Sequence, residues 1–269
     1  MIGDGTVKSV QRAAAIIRLL ASEATTGWRL SDLARASGLG KATTHRLLNA
    51  LADAGIAYQD SETRRYFLGY EIIRLGRLAT RYDIAELARP AMLRLARETG
   101  DTIFISVREG LDALCLERQV GDFPIKTLTL DAGDRRPLGV GAGSLALLAF
   151  LPLEEVAEIV ASNTPRLARY PGFGPRELDK LVAETRQQGY SFNDGRIVSA
   201  MCAVGVPVVD ARGRVVAAIS VAAIRERMQD ERLAWIVGLL KGEAERLTRR
   251  LGEMSNAGAA TETPGIAKA

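Results

Sequence analysis

The hydrophobic repeat of this 269-residue chain changes period at Asp101, and that change limits the fold more than any other feature. Up to Gly100, apart from one short hairpin, apolar residues recur at helical spacing; beyond it they alternate. TIFISVREG reads as a strand, ALCLERQVG as its hairpin partner and PIKTLTLDAG as a third strand, with RRPLGVGAG as a loop. SLALLAFL, from Ser144, is an apolar helix, followed by amphipathic helices over 154–161 and 175–188, the latter through Leu178, Leu181 and Val182. YSFND, CAVGVPVVD and VVAAISVAA return to strand period, with a turn at Arg212 and Gly213, and a closing helix covers 227–251. The fold class is therefore α+β, with a mixed, antiparallel-rich sheet carrying helices in the second part.

The first 70 residues have another order. A helix over 8–23 carries Val10, Ala14, Ile17 and Leu20 on one face, with Ser9 as a cap. A second, capped by Ser31, runs to Ser37 and is broken by Gly38. A third spans 41–54, buries Leu47, Leu48 and Leu51, and stops at Gly55. IAYQD and RRYFLG then form a hairpin with a polar tip, Tyr66 and Leu68 sharing a face. A long helical pattern covers 70–99, and Pro90 predicts a break within it. The segment before the break is basic, with Arg74, Arg77 and Arg81 in a run that continues through Arg89, Arg94 and Arg97 against Asp83 and Glu86.

Composition excludes several classes. The chain has a net charge of +4, 47% hydrophobic and 25% charged residues, the balance of an ordinary globular protein. No uncharged apolar run is long enough to span a bilayer, and the N-terminal apolar stretch is cut by Arg12 and Arg18, unlike a secretory signal, so the cytoplasm is expected. Cys115 and Cys202 read as two free thiols. With His45 the single histidine and no CxxC, neither a zinc site nor a Ser-His-acid set can be assembled, and no metal, cofactor or enzymatic activity is expected.

LSDLARASGLGKATTHRLLNALADAG has the ingredients of a helix-turn-helix: a short helix, a glycine turn and an amphipathic second helix. Leu33, Ala34, Leu39, Leu47 and Leu48 allow the two helices to cross closely. Lys41, Thr43, Thr44, His45 and Arg46 are left at the start of the second helix, where side chains reach base edges and phosphates in a major groove. Arg64 and Arg65 on the hairpin would touch the adjacent DNA backbone or minor groove. The competing reading is a three-helix bundle with a merely solvated polar face.

GVGAGS sets three glycines at alternate positions before an apolar helix, and without the Lys-Ser/Thr of a P-loop it is no nucleotide cradle. Backbone N–H groups at such a helix start favour a carboxylate. Ser144 is an N-cap or a first-turn residue, and Arg135 and Arg136 either guide an anion or face solvent.

Taken in order, the winged helix through YFLG, the loop and helix RRPLGVGAGSLALLAFLP, and GVPVVDARGRVVAAISV resemble the IclR family of bacterial transcriptional regulators over residues 8–252. The resemblance implies a winged helix-turn-helix domain over 1–72, a linker helix over 73–88, a GAF-like effector and oligomerisation domain over 89–252 and a flexible tail over 253–269. It implies a homodimer, tetrameric on double-stranded operator DNA, that senses a small organic acid. Repressors are the more frequent members; an activator, or a constitutive DNA-binding or scaffold protein without ligand, is the alternative. The resemblance carries ligand contacts onto Gly141, Ala142, Asn193, Ala203 and Ser220; Leu128 is read separately, as an apolar wall residue of the site or as ordinary core packing. Asn193, Ala203 and Ala222 stand where similar proteins are more polar, which suits a larger or aromatic acid.

Overall fold

The computed structural model describes residues 7–79 and 84–260, with side chains over 7–76 and 84–254. The chain divides into two units, Met1–Arg81 and Tyr82–Ala269.

The first unit has three helices, α1 (Lys8–Ser22), α2 (Leu30–Ser37) and α3 (Lys41–Asp53), then a hairpin of β1 (Ala57–Gln59) and β2 (Tyr66–Leu68), and α4 (Tyr70–Ala79). Ile16, Leu20, Leu33, Leu48 and Leu51 meet Ala57 and Tyr66 in its core. Full burial of each leucine or isoleucine there contributes about 1.5–3 kcal/mol. Gly38 caps α2 at φ 67°, its N–H reaching the Ala34 and Arg35 carbonyls, so the turn takes a conformation that a Cβ disfavours. The expected serine caps do not form: Val7 precedes α1 and Arg29 precedes α2, and Ser9 and Ser31 lie inside their helices.

The second unit contains α5 (Ile84–Thr99), β3 (Thr102–Glu109), β4 (Asp112–Val120), β5 (Arg135–Pro137), α6 (Ala142–Ala149), α7 (Leu153–Leu167), α8 (Pro175–Gln188), β6 (Ser191–Asp194), β7 (Met201–Val209), β8 (Val215–Ile224) and α9 (Asp230–Ala260). Its six strands lie in the order β5-β4-β3-β8-β7-β6. Every pairing is antiparallel, so the sheet is not mixed. One face packs on α5 and α9 through Ile103, Ile105, Val204, Val206, Ile219 and Val221. The other carries α6, α7 and α8 over Ala113 and Ala218.

Several expectations are corrected. Pro90 lies within α5 without ending it: its ring removes a single backbone donor, and the helix continues through buried Ala91, Met92 and Leu95. The linker stretch over 73–88 crosses residues 80–83, which lie outside the described residues, as do the side chains of Arg77, Arg81 and Asp83. TLTL is not a strand; the short pairing next to β4 comes instead from Arg135–Pro137. The closing helix runs on to Ala260, into the expected tail, whose residues 261–269 lie outside the description.

A buried ion cluster ties the segment after α5 to the turn before α9 and to the first turn of α9. Asp101, 4% exposed, accepts from Arg227 Nε at 2.8 Å and Arg232 Nη2 at 2.8 Å, and both guanidiniums also donate to the Thr99 carbonyl. Asp101→Ala should cost about 3 kcal/mol, because two partly buried cations lose their counter-charge. A urea midpoint equal to that of the parent chain would contradict this account.

Candidate functional site

Two places gather unassigned polar groups, one in each unit. The first is the exposed face of α3. Its inward residues are Thr44, Leu48 and Leu51. Turned the other way, at spacing i, i+3, i+4 and i+7, are Ala42, His45, Arg46 and Asn49, all exposed. Lys41 is exposed at the helix start and Thr43 half-buried. The side chains of Lys41, His45 and Arg46 make no hydrogen bond or ion pair among the described residues. Thr44 is corrected: it is fully buried, and its hydroxyl donates to the Gly40 carbonyl at 3.2 Å. It closes the first turn of the helix and cannot reach a duplex. Asn49 is the residue of this face that sequence reasoning misses; its i+4 relation to His45 is the signal that could have found it.

The hairpin tip is also differentiated. Arg64 is exposed, at φ 57°. Asp60 shapes the turn, accepting from the Thr63 N–H at 2.7 Å and the Thr63 hydroxyl at 2.6 Å, and these bonds hold its carboxyl below the usual range. Arg65 turns back instead, donating to the Gly27 carbonyl at 2.8 Å and the Thr26 carbonyl at 3.2 Å. It fastens the hairpin to the turn after α1, which leaves Arg64 as the cation presented at the tip.

The second place is a cavity in the second unit, between the sheet and the start of α6, with about 650 Å³ of empty space counting its open mouth. Its floor is built by strand register. Phe104 pairs with Ser220, and Ser220 with Gly205; Ala222 pairs with Ala203, and Ala203 with Asn193. A bulge between Ile105 and Ser106 sets Cys115 opposite Ser106, so both line the cavity while Glu117 meets Arg89 of α5. Phe104, Cys115, Ala203, Ala222 and Leu130 make one apolar patch. Burial pushes the Cys115 thiol up to about 11, so it is neutral.

The helix start is held close to that floor. Gly205 has no Cβ, and one placed there would lie 2.9 Å from the Ala142 carbonyl carbon and oxygen. The Ser191 hydroxyl lies 2.6 Å from the Ala142 carbonyl oxygen and donates to it. Gly141 precedes α6 at φ 91°, a backbone state open to glycine. Ser144 is not the cap: its hydroxyl, inside the first turn, accepts from the Gly139 N–H at 2.9 Å and faces the Pro137 carbonyl at 3.3 Å. The loop is thereby fixed before any ligand arrives.

Gly141, Ala142, Asn193, Ala203 and Ser220 all line this cavity. Asn193 is 5% exposed, and its Oδ1 accepts from the Arg196 N–H at 3.2 Å. Leu128 is corrected: it is 55% exposed and points away, while Thr127 and Thr129 line the wall. The extended backbone there alternates sides, so reading one residue off selects the wrong side chain. Arg135 pairs with Glu109 at the surface, whereas Arg136 lines the cavity.

A helix-turn-helix followed by a winged hairpin, with a separate six-stranded unit enclosing a cavity, is matched by two family models. The IclR helix-turn-helix domain matches residues 9–61, and the bacterial transcriptional regulator IclR C-terminal domain matches residues 76–249. The chain belongs to the IclR family. It is thus an HTH-type transcriptional regulator of the α+β class expected from sequence, in a family of DNA-binding proteins rather than enzymes. It is 28% identical over 248 residues to the HTH-type transcriptional regulator KipR of Bacillus subtilis, covering 91% of this chain and 97% of that one. It is 27% identical over 247 residues to the HTH-type transcriptional repressor AllR of Klebsiella pneumoniae, covering 91% and 90%. An IclR homologue from Microbacterium hydrocarbonoxydans, solved in complex with 4-hydroxybenzoate, superposes with a TM-score of 0.72 at 25% identity, covering 90% of this chain and 98% of that one. Among the described residues no helix is long and apolar enough to cross a membrane, and no cluster suits a metal ion.

Proposed function

We propose that this regulator is a repressor whose affinity for operator DNA is set by a small organic acid, aromatic rather than two- or three-carbon, bound in the cavity beneath α6. The observation that carries the reading is the cavity itself: a glycine-built helix start held over a floor that pairs the apolar patch of Phe104, Ala203 and Ala222 with the polar groups of Ser106, Ser220 and Asn193. Such a site takes a flat, largely apolar molecule with one charged end. The 4-hydroxybenzoate held by the Microbacterium homologue is of that kind.

DNA is met by Lys41, Thr43, His45 and Arg46 on α3, with Asn49 on the same face and Arg64 at the wing. Arg65 acts by holding the wing in place. The working form is a homodimer, tetrameric on DNA, since one such helix offers too few contacts for tight specific binding. Exposed Tyr70, Ile73 and Leu75 on α4 suit self-association of the first unit. The acid can shift DNA affinity only as far as it binds the two forms unequally.

A thermal-shift panel tests the ligand. Benzoate and 4-hydroxybenzoate at about 100 times Kd should add roughly 2.7 kcal/mol, raising Tm by several degrees. Glyoxylate and pyruvate should not. The reverse ranking would overturn the aromatic preference, and a flat response throughout would favour a ligand-free DNA-binding protein.

A further inference from the structure

The strand β5 and the segment before it bring to the cavity two polar groups that no other described residue fully satisfies. Arg136 is the first. It stands opposite Ala113 on β5, facing the cavity. One arm of its guanidinium is used: Nη2 donates to the Thr129 carbonyl at 2.6 Å. The other arm lies beside the helix start, where a Cβ built on Gly141 would be 3.5 Å from Nη1. Arg136 forms no ion pair among the described residues, although Tyr170 and, after it, Asp134 act on its charge through space. Burial disfavours the charge and lowers its pKa. On β3, β4 and β5 the arginines Arg108, Arg118 and Arg135 are matched, with Glu155, Asp131 and Glu109.

Thr127 is the second. It is 2% exposed, lines the same cavity, and its hydroxyl has no hydrogen-bond partner among the described residues. A buried hydroxyl left unpaired is costly, so Thr127 calls for a partner from within the cavity, an ordered water or a bound molecule. Thr127 and Arg136 are thus two incomplete groups lining one cavity, which is also lined by Ala142 and Gly143 at the start of α6, where the backbone N–H groups have no carbonyl a turn back.

We infer that Arg136 is the charge-selecting residue of this site: it binds the ligand as an anion, with the carboxylate between Nη1 and the start of α6, and Thr127 supplies a further hydrogen bond to the same molecule. The inference rests on the organic-acid reading above and adds what that reading lacks, the cation and the hydroxyl that distinguish an acid from a neutral molecule of the same shape. Arg suits this task because its planar fork can keep Thr129 while offering a second edge to the ligand. The Thr129 bond also places the guanidinium in advance, so little freedom is lost on binding.

The test uses full-length protein with 4-hydroxybenzoate and its uncharged twin 4-hydroxybenzamide, with binding followed by calorimetry. Wild type should bind the acid and bind the amide far more weakly. Arg136→Gln should weaken acid binding by roughly 10- to 100-fold, the scale of a hydrogen bond to a charged group, and narrow the acid-to-amide gap. Arg136→Lys should restore part of it. Because Arg136 also steadies Thr129, Thr127→Val supplies an independent check. It keeps the shape and removes only the unpaired hydroxyl, so Tm without ligand should hold or rise while acid affinity falls by roughly 3- to 10-fold. Wild type binding acid and amide alike, or Arg136→Gln and Thr127→Val binding the acid as tightly as wild type, would overturn the inference and leave the effector reading standing. Absence of binding to both compounds and to benzoate in wild type would overturn the two together.

Discussion

Gly205→Val should lower Tm and abolish the ligand-induced shift, while α3 keeps its exposed face. The reason is a single close approach. A Cβ at Gly205 would lie 2.9 Å from the Ala142 carbonyl carbon and oxygen and 3.0 Å from the Gly143 nitrogen. These are backbone atoms at the start of a helix, so neither side can rotate away. The helix start has to lift from β7, and the Ser191 bond to the Ala142 carbonyl goes with it. Overpacking of this kind costs about 1–3 kcal/mol, and breaking the buried hydrogen bond adds roughly 1 kcal/mol. Gly143→Ala offers a graded comparison, since its Cβ would crowd the Ser220 hydroxyl at 3.1 Å, a side chain that can turn, and meet Ser220 Cβ and Ser106 Oγ at 3.6 and 3.8 Å. The order expected in both Tm and ligand response is wild type, Gly143→Ala, Gly205→Val. A Gly205→Val protein with an unaltered melting curve and full ligand shift would show that α6 does not need that proximity.

The same region shows where sequence is a good guide to this fold and where it stops. Period and punctuation locate α8 to the residue, because Pro175 and Gly189 bracket an amphipathic run with no tertiary competitor. β3, β4, β7 and β8 are legible for the same reason: alternation and turn residues are local signals. PIKTLTLDAG alternates too, yet it forms no strand; Arg118 and Arg136 donate to the Leu130 and Thr129 carbonyls, using backbone acceptors a ladder would need. That competition involves residues up to twelve positions away and leaves no local mark. The side on which Leu128 falls follows from the same clamp. On α3, helical spacing alone separates Thr44, in line with Leu48 and Leu51, from His45 and Arg46. Residue type misleads at Thr44: a hydroxyl in the buried stripe looks like part of the polar face, whereas it serves the Gly40 carbonyl. Arg136 is recognisable in the sequence as a candidate, but only the sheet distinguishes it from Arg135, its neighbour pointing to Glu109.

Lys41→Ala with Arg46→Ala should have the largest effect on operator binding. Both residues are exposed and unpaired among the described residues, so removing them should change folding stability by no more than about 0.5 kcal/mol. On DNA the balance differs. Each cation seated on a phosphate contributes about 0.9 to the slope of log K against log salt, and a specific bond to a guanine edge is worth about 1–3 kcal/mol. A homodimer presents each residue twice, so the double variant should lose at least roughly 100-fold in affinity for the upstream region of its own gene, with a shallower salt slope. Thr44→Val, in the same helix turn, separates groove contact from helix integrity: its hydroxyl bonds only Gly40, so DNA affinity should fall only as far as the helix start loosens. Arg64→Ala should lower affinity evenly across DNA sequences, as a backbone contact does, without shifting Tm. Arg65→Ala should act mainly through the wing, lowering Tm as the bonds to Gly27 and Thr26 break. Undiminished binding by the Lys41 and Arg46 double variant at matched salt would mean that α3 is only one side of a helical bundle, and the polar face of this unit would then have no role in reading DNA.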